Sequence, residues 1–335
     1  MRLHAYAPTR IDLAGGTLDI WPLYLFHPGA LTLNLAISRS AHCLLELRRD
    51  RRIVLLSRDN NLREEFSSLV ALASRQRYRL PLLAHLVAYF APRHGLTLTT
   101  WSEIPAGSGL GGSSALAIAI CAALTRACGA RMRAAEWIPL ARDIEARTLG
   151  VPTGEQDHYP AVYGGASAIH LDPRRTCREP LPIDLSALEA RLLLVYTGKP
   201  RRSGVNNWEV LKNYLDADPR LRRNFAGIAE TARAMRKALL AENWPQLGSL
   251  LRREWRTRRR NAPDIATPFI DRLIRIGGRS GAAAAKVCGA GGGGCVVFLT
   301  SPQRRAKVAA ALAATGAILL PFHIARRGVR VETLR

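Results

Sequence analysis

The stretch Pro105–Cys121 constrains this chain more than any other. Its first ten residues contain four glycines and three serines, and the Ala/Leu/Ile run 115–121 follows. The small residues predict a loop with a freely turning backbone, and the apolar run predicts a buried helix. Backbone N–H groups in such a loop can approach phosphate oxygens, and the positive end of the following helix attracts anions. The stretch therefore predicts a phosphate site, although similar turns also precede helices that bind no phosphate.

Two familiar phosphate-binding patterns do not describe this loop. No Gly-Lys-Ser/Thr closes it, as in a Walker A loop, and it is not a Gly-x-Gly-x-x-Gly turn followed about twenty residues later by a ribose-binding acid. The interpretation of the loop therefore depends on the residues around it.

Length and composition indicate a globular protein. The chain has 335 residues, 48% of them hydrophobic, which is enough for two domains or one large one. Its six cysteines include no Cys-x-x-Cys pair, so we expect reduced, mostly buried thiols and no zinc or disulfide framework. The first residues lack the apolar segment of a secretory signal, and no window approaches eighteen uninterrupted apolar residues. These features predict a cytoplasmic protein without a membrane partner.

The net charge of +23 would by itself suggest a nucleic-acid partner. However, lysines make up five of the 49 basic residues, and the arginines are spread along the chain. This pattern is as typical of a bias in residue usage as of a binding surface, and an anionic small-molecule substrate fits the charge equally well. A nucleic-acid partner is therefore not favoured, and the oligomeric state, monomer or homodimer, stays open.

The hydrophobic pattern predicts an α+β fold. A boundary near Leu181 divides the chain into residues 1–185 and 186–335, and the second part is expected to place its helices on one face of an antiparallel sheet. Helices are predicted at 63–74, 81–90, 134–149, 205–215, 220–241, 245–260, 268–277 and 302–315. Strands are predicted at 2–7, 30–37, 42–47, 53–56, 96–102, 192–196 and 318–324, and on both sides of the glycine turn 289–294.

Charged residues near the start form the first candidate site. Alternation along the predicted strand places Arg10 and Asp12 on one face and Ile11 and Leu13 on the other. Asp19 follows the turn at Gly15-Gly16, where an aspartate also commonly serves as a cap or turn former.

Two further carboxylates form the second candidate site. Glu145 lies near the end of a predicted helix and Asp157 follows a Pro/Gly turn, so both could border one pocket. The alternatives are a solvated Glu145 and an Asp157 that caps the next turn. His158 is adjacent, although a lone histidine beside an aspartate is more often structural than catalytic.

Four motifs in this order resemble the galactokinase, homoserine kinase, mevalonate kinase and phosphomevalonate kinase (GHMP) superfamily. They are Ala7-Pro-Thr-Arg-Ile-Asp-Leu-Ala-Gly-Gly, the loop 105–114, Gly154-Glu-Gln-Asp-His-Tyr and Lys286-Val-Cys-Gly-Ala-Gly-Gly-Gly-Gly. The resemblance runs from about residue 5 to the end. It implies a two-lobed fold, with an N-terminal domain like domain 2 of ribosomal protein S5 and a ferredoxin-like C-terminal domain. It also implies an ATP-dependent, Mg²⁺-dependent small-molecule kinase with its active site between the lobes.

The resemblance assigns roles to individual residues. Asp157 would accept the proton of the substrate hydroxyl, next to Arg10, and Ser113 and Glu145 would hold Mg²⁺. The ATP-binding residues would be Gly107, Ser108, Gly109, Leu110, Gly111, Gly112, Ser113 and Ser114. This set supplies what phosphoryl transfer requires, namely a cradle for phosphates, a metal, a cation and a carboxylate near the nucleophile.

The first motif also favours one branch of the superfamily. Mevalonate-type members carry a lysine there, whereas this chain has Arg10 and no lysine before Lys199, which favours a sugar. The chain most resembles the heptose 7-phosphate and fucose kinases, which phosphorylate an anomeric hydroxyl, but it has Gly-Gly-Thr-Leu-Asp where that branch tends to have Gly-Gly-x-Thr-Asp. The substrate-binding residues would be Asp19, Gly16, Thr17, Asp157, Gly164, Gly165, Arg201, Arg202 and Gly291.

Several alternatives remain open from the sequence. The Arg201/Arg202 turn could clamp a sugar phosphate or be a solvated arginine pair. The acceptor could be a non-sugar alcohol such as an isoprenoid precursor. The chain could also be a non-catalytic sugar- or nucleotide-binding member of the fold, although the presence of Arg10, Ser113, Glu145 and Asp157 together argues against this.

Overall fold

The computed structural model describes residues 1–200 and 205–335, and the side chains of all of these except 205–207. The described residues form two sheets. The larger sheet has eight strands: β1 (Arg2–Ala14), β2 (Leu31–Leu47), β3 (Ile53–Ser57), β4 (Leu62–Phe66), β5 (Leu96–Ser102), β6 (Ala166–His170), β7 (Cys177–Pro180) and β12 (Arg330–Leu334). The smaller sheet has four: β8 (Leu192–Tyr196), β9 (Ala282–Val287), β10 (Cys295–Thr300) and β11 (Ile318–Leu319).

The larger sheet is built around the long hairpin of β1 and β2. Its order is β12-β1-β2-β5-β3-β4, and β6 pairs with β2 and with β7. All of these pairs are antiparallel except β3 with β5. β2 pairs with β6 through its first half and with β5 through its second half. On the other side of β1, β12 pairs only with Arg2–Tyr6, so among the described residues the second half of β1 has β2 as its strand partner on one side alone.

Eleven α-helices surround the sheets in the described part of the chain. They are α1 (Leu69–Ala73), α2 (Pro81–Phe90), α3 (Gly112–Cys128), α4 (Ala134–Leu149), α5 (His158–Tyr163), α6 (Leu185–Glu189), α7 (Val205–Leu215), α8 (Pro219–Leu240), α9 (Trp244–Arg258), α10 (Pro268–Ser280) and α11 (Pro302–Ala313). The predicted buried helix after the glycine loop is α3, which packs on β1 and β2 and buries ten residues. None of these helices is long and apolar enough to cross a membrane.

The smaller sheet is covered on both faces, so the predicted single helix layer is wrong. On one face, Val195 and Phe298 share a core cluster with Ile270 of α10. On the other face, Leu194 shares a cluster with Leu251 of α9 and with residues of β1 and β2. The reason is visible in β8 and β10, whose residues are all buried and mostly apolar, because such strands need a cover on each side. The second cluster joins the two sheets into one body.

The strands predicted at 30–37 and 42–47 form the single strand β2, and two further predicted elements differ from the structure. The predicted helix 63–74 is instead strand β4 followed by the short helix α1. Glu64, which is buried in this strand, accepts hydrogen bonds from the backbone N–H groups of Arg79 and Leu80, both at 3.0 Å. The predicted last strand 318–324 is the two-residue β11, and the chain instead returns to the larger sheet as β12, which pairs with β1. β12 escaped prediction because it is a short, largely exposed edge strand.

The proposed division after residue 185 falls at the start of α6. It stays a prediction, and β12 is a segment of the second part that lies in the sheet of the first part. The consequence for the site is that both parts of the chain contribute to the walls of the space at the end of β1.

Candidate active site

A cleft of about 580 Å³ lies where the end of β1, the glycine loop and the glycine turn 289–294 meet. Residues from both parts of the chain line it, including Arg258 of α9 and Gly289. The structure brings these predicted site residues together along its walls: Arg10, Gly16, Thr17, Asp19, Gly107, Ser108, Gly109, Leu110, Gly111, Gly112, Ser113, Ser114, Glu145 and Asp157.

Arg10 and Asp157 form an ion pair at the centre of this cleft. The Nε and Nη2 atoms of Arg10 donate to Oδ1 of Asp157 at 2.8 and 2.7 Å. The Arg10 side chain is 2% exposed, whereas that of Asp157 is 21% exposed and borders the cleft. The pair thus holds one carboxylate oxygen firmly and leaves the carboxylate accessible to a small molecule.

The alternation along β1 explains how Arg10 reaches this position. Arg10 and Asp12 lie on the cleft side, while Ile11 and Leu13 are buried in the cluster that joins the sheets, as predicted. Burial opposes the charge of Arg10, but the carboxylates of Asp157 and Asp12 outweigh this effect and raise the pKa of the guanidinium above its usual range. Arg10 is therefore a permanent cation in the cleft.

The glycine loop has the backbone of an anion cradle. Gly107, Gly109 and Gly111 have φ values of 67°, 79° and 72°, which only glycine adopts without strain. A Cβ on Gly111 would lie 3.1 Å from Oδ2 of Asp157, a tight contact that would push on this carboxylate. Helix α3 begins directly after Gly111, whose position has no side-chain cap. The first-turn amides of α3 are therefore available to an anion beside Asp157.

Contacts from both parts of the chain hold this loop in place. The backbone N–H of Cys295 donates to the carbonyl of Ser108 at 2.7 Å, and the Nη1 of Arg10 donates to the carbonyl of Gly109 at 2.6 Å. A Cβ on Gly294 would lie 2.5 Å from the Ser108 oxygen. The glycine turn 289–294 thus packs against the predicted ATP loop.

Glu145 is buried beside the start of α3, which excludes the alternative of a solvated helix residue. Its Oε2 accepts a hydrogen bond from Ser114 Oγ at 2.7 Å and lies 2.8 Å from His158 Nε2. Burial favours the neutral acid, but His158 and the hydroxyls of Ser113 and Ser114 outweigh burial and lower the pKa of Glu145. Glu145 in turn raises the pKa of His158 against the effect of burial. An ionised carboxylate is therefore held next to Ser113, which is exposed at the cleft.

Asp19 also lines the cleft, close to Asp157. Its carboxylate is buried and accepts the backbone N–H of Gln156 at 3.0 Å. Burial raises its pKa to about 6, with help from the nearby charge of Asp157. Thr17 borders the cleft with a positive φ of 74°, and Leu18 is buried in the core. Leu18 stands where related kinases tend to have the threonine of Gly-Gly-x-Thr-Asp. Because it is buried in the core, this difference from the motif does not change the lining of the cleft.

The structure reveals three charged residues at or next to the cleft that the sequence did not single out for a role, namely Lys286, Arg258 and Glu254. Lys286 and Asp12 form a fully buried ion pair with an Nζ–Oδ2 distance of 2.6 Å. Arg258 is paired with the buried Glu254 and donates from Nη2 to the carbonyl of Gly16 at 3.0 Å. One signal could have found Lys286, since it is a single charge that follows the alanine run 282–285 inside a predicted buried strand.

Three residues predicted to contact the substrate are not among those that line the cleft. Gly164 packs against Arg327 and Gly328, and Gly165 exchanges backbone hydrogen bonds with Ala325 and Ala36. Gly291 packs against Ile265, where a Cβ would lie 2.6 Å from its side chain. These glycines permit close packing of backbone segments and are not part of the cleft lining.

Two more predicted contacts, Arg201 and Arg202, lie outside the described residues.

The comparisons with known proteins agree with this architecture. Models described as GHMP kinases N terminal domain and GHMP kinases C terminal match residues 77–165 and 235–318. D-glycero-alpha-D-manno-heptose 7-phosphate kinase of Campylobacter jejuni is 29% identical over 335 residues, 98% of each chain. Mevalonate kinase of Thermococcus sibiricus is 27% identical over 245 residues, 72% of this chain and 70% of that protein.

The fold is also found in a solved structure. The crystal structure of a D-glycero-D-manno-heptose 1-phosphate kinase from Bacteroides thetaiotaomicron matches with a TM-score of 0.78 at 24% identity and covers 99% of both chains. The predicted two-lobed fold is thereby confirmed. With its two family matches, its glycine loop at the start of α3 and its cleft between two lobes, this chain belongs to the GHMP kinases, which use ATP as phosphate donor.

Proposed function

We propose that this chain transfers the γ-phosphoryl group of ATP to the anomeric hydroxyl of a heptose 7-phosphate or a related sugar. One observation carries the proposal: the Arg10–Asp157 pair lies in the same cleft as the glycine loop and the start of α3. A phosphate group at the loop would therefore lie beside a carboxylate suited to accept a hydroxyl proton. The relative from Campylobacter, which aligns with nearly the whole chain, supports a sugar phosphate as acceptor.

In this proposal each residue has a distinct part. The loop amides and the first turn of α3 bind the ATP phosphates. Asp157 accepts the proton of the acceptor hydroxyl as the new O–P bond forms, and Arg10 orients Asp157 through two donors on one oxygen. Its fixed positive charge also stabilises the negative charge that develops on the transferred group. Asp19 accepts hydrogen bonds from sugar hydroxyls.

Mg²⁺ fits the residues at the start of α3. Among the described residues, no group of three or more His, Cys, Asp or Glu side chains could hold a metal alone. Mg²⁺ at a phosphate site, however, commonly takes one or two protein ligands and completes its shell with phosphate oxygens and water. The ionised Glu145 beside Ser113 provides that small ligand set. When bound, Mg²⁺ would neutralise charge on the β- and γ-phosphates.

The acceptor screen is the direct test of this function. Free and phosphorylated hexoses and heptoses, mevalonate and homoserine are incubated with Mg-ATP, and ADP release and the position of the new phosphate are measured. We expect the highest kcat/KM for a sugar phosphate with phosphorylation at the anomeric position. Preference for mevalonate or homoserine would replace the sugar proposal with the non-sugar alternative, and absence of turnover with all acceptors would favour a binding protein.

Ser113→Ala is expected to shift the Mg²⁺ titration of activity to higher concentration. The variant removes a hydroxyl next to Glu145 but leaves the loop backbone intact. The measurement is the Mg²⁺ concentration at half-maximal rate with ATP saturating. Ser38→Ala is the control, because the Ser38 hydroxyl accepts the backbone N–H of His323 away from the cleft. An unchanged Mg²⁺ titration in Ser113→Ala would remove Ser113 from the metal site.

The KM for the acceptor is expected to rise as the pH falls below about 6. Asp19 has its pKa raised to about 6 by burial, so it becomes protonated there and loses capacity to accept hydrogen bonds from sugar hydroxyls. The rise should approach about tenfold per pH unit well below that pKa. The measurement uses an unphosphorylated sugar, because a sugar phosphate itself titrates at about pH 6. With this acceptor, Asp19→Asn should have a high KM that does not change across the same range. A wild-type acceptor KM independent of pH between 5 and 8 would contradict the role of Asp19.

A further inference from the structure

Four charged side chains of alternating sign lead from the cleft into the smaller sheet. Asp157 is paired with Arg10, and Arg10 Nη1 lies 3.5 Å from Oδ1 of Asp12. Asp12 Oδ2 lies 2.6 Å from Nζ of Lys286 on β9. Asp12 and Lys286 are fully buried, so solvent does little to screen their charges. The first and last members of the series come from the two separate parts of the chain.

The smaller sheet engages both oxygens of the Asp12 carboxylate. Lys286 Nζ donates to Oδ2 and also to the backbone carbonyl of Asp12 at 2.9 Å, and the N–H of Gly289 donates to Oδ1 at 2.8 Å. Burial favours the protonated form of Asp12, but Lys286 and Arg10 outweigh it and lower its pKa to about 2. The negative charge of Asp12 is therefore stabilised mainly by Lys286 and the N–H of Gly289, which belong to the second part of the chain.

This arrangement decides where the guanidinium of Arg10 points. Two carboxylates flank Arg10, and each attracts it. The contact to Asp157 is short, at 2.7 Å, and the contact to Asp12 is long, at 3.5 Å. Without the ammonium of Lys286, Asp12 would be a buried anion that has lost its closest partner, which is strongly disfavoured. Arg258 also stabilises the Asp12 carboxylate, but it is already held by Glu254 and by the carbonyl of Gly16, whereas Arg10 lies 3.5 Å from Asp12. Arg10 would then move towards Asp12 at the expense of Asp157.

We infer that Lys286 is a positioning residue that keeps Arg10 on Asp157 by neutralising Asp12. The inference rests on the proposed role of Asp157 as the proton acceptor. Lys286 touches neither of the reacting groups and acts through Asp12 and Arg10. Its contribution is to the rate of the chemical step and not to ATP binding, since backbone hydrogen bonds from Cys295 to Ser108 and from Arg10 to Leu110 hold the glycine loop independently of the Arg10 side chain.

The test compares Lys286→Met with the charge-balanced double variant Lys286→Met/Asp12→Asn. Lys286→Met is expected to lower kcat about 100-fold with the KM for ATP changed by less than about threefold. The double variant is expected to recover to within about tenfold of wild type, because no buried anion then competes for Arg10. Arg236→Met is the matched control, since Arg236 pairs with Glu179 between α8 and β7, outside the cleft, with an Nε–Oε2 distance of 2.6 Å. This control is expected to keep the wild-type kcat.

A merely structural role for Lys286 gives a different result. Both variants lose the bond between the sheets, so they would then have equally low activity or would both fail to fold, and either result overturns the inference. Thermal unfolding and ATP titration establish which variants are folded. If Lys286→Met alone does not fold, the double variant decides: turnover within about tenfold of wild type supports the inference, and a folded, ATP-binding but inactive double variant overturns it.

A crystal structure of Lys286→Met separates this inference from the proposed function. It is expected to show Arg10 within hydrogen-bond distance of Asp12 and detached from Asp157. Arg10 unmoved on Asp157 would overturn the inference, whatever the activity. A wild-type protein that phosphorylates no sugar would instead refute the proposed function while leaving this structural test valid.

Discussion

Asp157→Asn is expected to lower kcat by about 10²–10⁴-fold while ATP still binds. The amide has almost the same shape as the carboxylate, but it cannot accept the proton of the acceptor hydroxyl. The glycine loop and α3 do not depend on the charge of Asp157, because Ser108 and Gly109 are held by other contacts. Steady-state kinetics with the best acceptor, together with equilibrium titration of ATP, measure the two effects separately.

The control for this variant is Asp172→Asn, an exposed aspartate in the turn after β6. It should have wild-type kcat and ATP affinity. Near-wild-type turnover in Asp157→Asn would remove Asp157 from the role of proton acceptor. Loss of ATP binding in the same variant would indicate that the carboxylate shapes the phosphate cradle instead, since it lies against Gly111.

Arg10→Met is expected to reduce kcat by about 10²–10³-fold, a magnitude typical of removing a donor that stabilises developing charge. The variant removes both donors to Asp157 and the donor to the Gly109 carbonyl. A folded protein is expected because Asp12 keeps Lys286 as its partner and Asp157 is partly exposed. The measurement is kcat at saturating ATP and acceptor, with thermal unfolding as the check on folding.

Arg10→Lys distinguishes charge from geometry at this position. Lysine keeps the positive charge, but its ammonium cannot reproduce the three directed contacts of the guanidinium. We therefore expect its kcat to lie between those of wild type and Arg10→Met. Equal activity of Arg10→Lys and wild type would show that charge alone suffices, and the preference for a sugar drawn from Arg10 would lose its support.

Local patterns predicted much of the secondary structure. The prediction of a strand at 96–102, a helix at 134–149 and a strand at 192–196 agrees with β5, α4 and β8 residue for residue. In these segments the apolar residues recur with a clear helical or strand spacing and the ends are well marked, so the sequence pattern alone predicts the element. The predicted helix 63–74 was wrong because the buried Glu64, whose partners lie fifteen and sixteen residues away, hides the period of β4.

Some predictions for the site also agreed with the structure and others did not. The glycine loop, Arg10, Asp19, Glu145 and Asp157 stand in motifs, and the structure places all of them at one cleft. The glycines at 164, 165 and 291 stand in similar motifs, yet in the structure they pack against other backbone segments and do not line the cleft. A glycine motif indicates that something approaches closely, but it does not indicate whether that is a ligand or another segment of the chain.

The sequence by itself determined the family, the order of the glycine motifs and the side of β1 on which Arg10 and Asp12 lie. These depend on residue types at short spacing, which alternation and turn chemistry control locally. The tertiary structure alone decided that Lys286 meets Asp12 across 274 positions and that Arg258 holds the turn at Gly16. Such contacts arise when two sheets pack through a shared core, and charges that meet there carry no periodic signal in the chain.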